Sequence, residues 1–182
     1  MSSLAALAAL VVALTLGAGV APAHASVPDT LLPELEQRLA GSGVDAVNAY
    51  LNTHWAAAMA PLNQRTADCD LQAVSLAIRL GRGGNPARAV QAHGESLRAA
   101  SGGCTRFVLA LATPAEIVRY CRSQAGWGPA QTARELRRRI GAIDADEQLR
   151  NSRRGQACKA AYLYELNNTR VVVRRAAPAS AP

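Results

Sequence analysis

The placing of its prolines restricts this chain more than any other feature. Pro33, Pro61, Pro86, Pro114 and Pro129 each stand just ahead of a stretch whose apolar residues recur at helical intervals. A proline in the first turn of a helix costs no hydrogen bond, whereas in a helix interior or a central strand it removes one. The chain therefore reads as a succession of short helices. Thr113-Pro114-Ala115-Glu116 is the clearest start, a capping box with proline at the first helical position.

Other boundaries follow the same logic. Ser42 is expected to cap a helix carrying Val44, Val47, Leu51 and Trp55 to about Ala60. Leu62, Thr66, Cys69, Ala73, Leu76 and Leu80 are spaced 4, 3, 4, 3, 4 and predict one helix over 61–81. "GRGGNP" ends it, with Asn85 as the next cap. The short run 104–112 reads as helix. Asp144 with Glu147 predicts a last helix from about Ala145 towards Leu166, weak at Gly155. Only Val171–Val173 looks like strand, so "TRVVVRR" reads as an extended strap. The expectation is all-α: a single-domain bundle of about six or seven helices, without internal repeats.

Residues 4–16 form an unbroken apolar run, short for a spanning helix, which needs about 20 residues. Gly17, Gly19 and Pro22 break it, and Ala23-His24-Ala25 presents small residues where a signal peptidase cuts. "MSS" lacks the usual basic residue. The expected organisation is a signal peptide at 1–25 cut after Ala25, a helical domain at 26–173 and a flexible tail at 174–182. The expected location is the periplasm or the extracellular medium, and the Ala- and Arg-rich composition fits a bacterial source.

Export gives the four cysteines their meaning. Cys69, Cys104, Cys121 and Cys158 lack a C-x-x-C pair, which argues against a zinc ribbon, a thioredoxin-type centre or haem attachment. Two disulfides are expected. If 61–81 and 86–100 fold back on each other about "RGGN", Cys69 comes level with Arg98 and close to Cys104. That favours Cys69–Cys104 with Cys121–Cys158. The rival is Cys104–Cys121 with Cys69–Cys158.

The net charge is +7, and residues 1–25 hold no charged side chain. Residues 26–133 are close to neutral, so the excess lies in 134–175. In "TARELRRRI", Arg134 and Arg138 share one helix face and Ala133, Leu136 and Ile140 the other. Arg134, Arg137 and Arg138 are candidate partner-binding residues, as is Trp127, set between two glycines. Nucleic acid is not expected as a partner, because no aromatic residues interleave with the basic ones.

Catalytic spacing is not found. His54 and His93, with Asp68 or Asp70, show no metal-ligand pattern. "GRGGNP" lacks the lysine and strand of a phosphate loop and reads as a turn. Ser75, Ser96, Ser101 and Ser123 lack a nucleophile motif. No cofactor or metal is implied. Tyr162 and Tyr164, two apart on a helix, cannot both face inward. The leading expectation is a secreted or periplasmic non-enzymatic binding protein of inhibitor, immunity or envelope-accessory type, whose basic C-terminal half meets an acidic partner. Alternatives are a small envelope hydrolase pairing carboxylates such as Glu34, Glu95 and Glu165, and a protein lying on an anionic membrane surface.

Overall fold

A computed structural model describes residues 30–176, with side chains through Thr169. The proposed signal peptide and the last residues of the proposed tail lie outside that range. Among the described residues the secondary structure is helical throughout, in ten α-helices and one π-turn rather than six or seven helices. No helix among them is long and apolar enough to cross a membrane.

Helices α1 (Leu31–Ser42) and α2 (Val44–Thr53) meet at Gly43, which takes φ 80°. Ser42 thus ends α1, and the left-handed glycine supplies the cap expected of the serine. A π-turn (Trp55–Met59) leads into α3 (Ala60–Ala67). Pro61 has no N–H to offer Ala57, and its ring crowds that carbonyl, so a wider turn ahead of it relieves the clash.

The seam predicted as one helix is two. Helix α3 closes with Asp70 N donating to Arg65 O at 2.9 Å and Cys69 N to Thr66 O at 3.1 Å. That closure is the Schellman arrangement, with Cys69 at φ 66° where glycine is usual. Asp70 then caps α4 (Leu71–Leu80), its Oδ1 accepting from Gln72 N and Ala73 N. The seam survives the break: Leu62, Thr66, Ala73, Leu76 and Leu80 are all fully buried.

Asn85 does not cap α5 (Ala87–Ala100); the residue at the cap is Pro86. The preceding turn docks on α2, where Asp45 Oδ1 accepts from Gly84 N at 3.0 Å and Asn85 N at 3.3 Å. Gly83 fits there because a Cβ would lie within 2.8 Å of Val44, Asp45 and Asn48. Helix α6 (Thr105–Leu111) is the helix expected, and α7 (Pro114–Tyr120) opens on the complete Thr113/Glu116 capping box.

Helix α8 (Pro129–Ala145) precedes α9 (Glu147–Asn151) and α10 (Arg153–Ala176). Asp146, not Asp144, caps α9 by accepting from Leu149 N, while Asp144 binds Lys159 at 2.5 Å. The last helix is split at Ser152, whose Oγ accepts from Gly155 N at 2.9 Å. Gly155 is a point of close approach, because any Cβ there would overlap the Leu149 carbonyl. "TRVVVRR" continues α10 and is not a strap. β-Branched residues lower helix propensity by well under about 1 kcal/mol each, and extending a formed helix needs no new nucleus.

Helices α4 and α5 separate two apolar clusters. Ala73, Leu76, Leu80 and Ala89 face one built with α1, α2, the π-turn and α3. Val74, Ala77, Ile78, Leu97 and Ala100 face the other, built with α6 to α10. Cys69–Cys104 and Cys121–Cys158 are both formed, with Cα–Cα distances of 5.8 and 5.2 Å.

Candidate functional site

Helix α8 begins where Gly128 and Pro129 end the loop from α7. Thr132, Leu136, Arg139 and Ile143 recur every third or fourth residue and are buried. Arg134, Arg137 and Arg138 consequently face outward together. The Arg134 and Arg138 side chains are 74% and 56% exposed. Glu135 lies between these two, 2.9 Å from Arg138 and 3.9 Å from Arg134. The Arg138 bond holds its carboxyl below the usual range.

Several other cations, partly exposed, bind groups of the fold itself. Arg79 pairs with Glu36, Arg82 with Glu116, Arg106 with Asp146 and Lys159 with Asp144. Arg154 donates to the carbonyls of Leu109 and Ala110 at the end of α6, and Arg98 to that of Arg119 at the end of α7. Within the basic stretch itself, Arg150, Arg154 and Lys159 bind groups of the fold, Arg134, Arg137 and Arg138 face outward from α8, and Arg153 is exposed on α10.

Arg139 is the residue that sequence reasoning missed. It is 4% exposed. Nη1 donates to Arg98 O at 2.8 Å, and it lies 3.3 Å from Ser101 Oγ and 3.4 Å from the Tyr162 hydroxyl. Nε is buried without an acceptor, and no carboxylate among the described residues pairs with the guanidinium. The guanidinium carbon lies 5.2 Å from the centre of the Trp127 ring and 5.8 Å from that of Tyr162. Trp127 is half-buried, so one face of its ring is committed to Arg139. Membership of the stripe Thr132–Leu136–Arg139–Ile143 was the available signal, hidden inside "RRR".

Ser101 joins this group, its Oγ 2.8 Å from Arg98 O and 3.0 Å from both Tyr120 O and the Tyr162 hydroxyl. Tyr162 is buried and Tyr164 is 67% exposed, the division their spacing requires. Glu95 and Glu165 do not form a free carboxylate pair. Glu165 accepts from Ser123 N and Oγ, and Glu95 binds Arg98 and Ala125 N. Both hold the α7–α8 loop, while Glu34 lies exposed in the first turn of α1.

A second buried polar pair lies in the other cluster. Asn48 Nδ2 donates to Leu80 O at 3.0 Å, so its Oδ1 accepts from His93 Nε2 at 3.1 Å. His93 Nδ1 is then a bare, buried acceptor. Burial pushes the ring's pKa down from 6.5 to about 4. His54 is exposed, stacked on Tyr50 at 4.2 Å. Among the described residues, no three His, Cys, Asp or Glu side chains converge as a metal site would require. Compared with protein-family models, with curated proteins and with solved structures, the chain matches none.

Proposed function

We propose that this is a secreted or periplasmic binding protein whose α8 face, through Arg134, Arg137 and Arg138, meets an acidic partner. The observation that carries the reading is the contrast in cation use. Most carboxylates tie helices together, whereas on one exposed turn Arg134 and Arg138 share the single Glu135 and Arg137 stands exposed beside them. Such a surface attracts an acidic one and sets orientation and association rate. Two disulfides support an oxidising compartment. Trp127 contributes by bracing the start of α8 through Arg139 rather than by standing out alone.

The test is capture of partners from periplasmic extract by residues 26–182, with Arg134, Arg137 and Arg138 intact or all changed to alanine. The expected result is an acidic protein retained by the first, lost from the second, and released by salt. Equal recovery by both proteins, or retention indifferent to ionic strength, refutes the reading.

A further inference from the structure

The two disulfides of this chain stand in different surroundings. Cys121 and Cys158 are fully buried within the C-terminal cluster. Cys69 and Cys104 are partly exposed and only border that cluster. Cys104 forms part of the wall of a surface concavity of about 350 Å³, shared with Phe107, Ala142, Asp146 and Leu149, and Cys69 does not line it. Beside the bond, Gly103 is exposed, and a Cβ there would come to 3.0 Å from Cys69 Sγ. The turn into α6 therefore carries no side chain that would overlie that sulfur.

The backbone differs as well. Cys69 takes φ 66°, a conformation that costs residues other than glycine. Its bond to Cys104 is one of the ties that hold it there. Cys121, by contrast, has φ -82°, and Cys158 lies inside α10. A disulfide is exchanged by attack of a thiolate on one of its sulfurs, so the rate depends on access to that sulfur, and exposed or strained bonds are the labile ones.

We propose that Cys69–Cys104 is a thiol–disulfide exchange site, attacked at Cys104 by a small external thiol that enters through the concavity, while Cys121–Cys158 stays closed in the folded protein. The incoming thiolate bonds to Cys104 Sγ. The S–S bond breaks, and its electron pair leaves on Cys69 Sγ, which takes a proton from water. A second thiolate attacks the external sulfur of the mixed disulfide, and Cys104 leaves as a thiolate and is protonated in turn. The protein's bond is thus reduced to two thiols, and two molecules of external thiol are oxidised to their disulfide. Opening frees the junction of α3 and α4 from the start of α6. The site is separate from the outward arginines of α8, so it stands or falls independently of them.

The test exposes folded, oxidised protein to β-mercaptoethanol, a small uncharged thiol that the protein's net charge does not steer. Samples taken over time are blocked with N-ethylmaleimide, and the labelled cysteines are located by peptide mapping. Cys69 and Cys104 should become labelled at least about tenfold faster than Cys121 and Cys158. In urea-unfolded protein that difference should vanish. Equal rates in the folded protein overturn the proposal, as does faster opening of Cys121–Cys158 or a tenfold difference that persists in urea. Ala142→Trp places a bulky ring at an exposed position of the concavity wall. It should slow opening of Cys69–Cys104 by at least about threefold and leave Cys121–Cys158 unchanged. An unchanged rate for Cys69–Cys104 in the folded variant overturns entry through the concavity, and if that variant does not fold the wild-type comparison decides.

Discussion

The two apolar clusters on either side of α4 and α5 are held together by different means. The N-terminal one is built from Leu31, Leu35, Val47, Leu51, Met59 and Leu62, and its buried polar pair, Asn48 and His93, is neutral. The C-terminal one packs against both disulfides and encloses a cation, Arg139, beside Tyr162 and Ser101. Helices α6, α7 and α9 have seven, seven and five residues, too few for independent stability. Cross-links and arginine-to-carbonyl bonds fasten these short pieces. In the N-terminal half the buried cluster contains no cysteine, and its helices meet through leucine, valine and methionine side chains.

The largest test of that contrast is covalent. Changing Cys121 and Cys158 to alanine opens a link between residues 37 apart and should cost roughly 3–4 kcal/mol in urea unfolding. Amide exchange should accelerate in α7, α8 and α10 far more than in α2 and α3. Equal acceleration in both halves would make the clusters one cooperative unit and end the comparison.

Acid should strike the N-terminal cluster first. His93 binds its proton at about pH 4 when folded and at 6.5 when unfolded, so between those values the unfolded state holds more protons. Stability from this group is complete above pH 6.5 and is lost as pH falls towards 4. At about 1.4 kcal/mol per pH unit, the loss is on the order of 3 kcal/mol. His93→Gln should be less stable at neutral pH yet flat across that window. A wild-type stability that does not change between pH 6.5 and 4 contradicts the buried neutral ring.

The C-terminal half should respond lower and less. The Arg82 hydrogen bond, with those of Thr113, holds Glu116 at about 2 instead of 4.5. Its contribution is present above pH 4.5 and lost as pH falls towards 2. Glu116→Gln keeps part of the cap and loses the partly exposed ion pair, so about 1 kcal/mol at neutral pH is expected from thermal unfolding. A variant whose acid unfolding below pH 4.5 matches the wild type would remove Glu116 from the account.

Much of the candidate site was legible, and its limits are instructive. The outward set Arg134, Arg137 and Arg138 follows from the inward stripe of Leu136 and Ile143. Arg139 lies on that same stripe, yet an arginine at a buried position contradicts composition alone. It stays there because Arg98 O, Ser101 and Tyr162 come from two other helices to receive it. His93 was placed on a helix, but its burial depends on Asn48, which lies 45 residues away.

From the sequence alone came the helical class, the breaks at proline, the favoured disulfide pairing and the opposed faces of Tyr162 and Tyr164, because periodicity and steric exclusion act between near neighbours. Only the tertiary structure decided that Cys69 would take a glycine's conformation, that Asp70 would start a new helix and that a guanidinium would be enclosed without a carboxylate. Each of these carries a local cost that distant contacts offset, and such contacts exist only once the helices have packed.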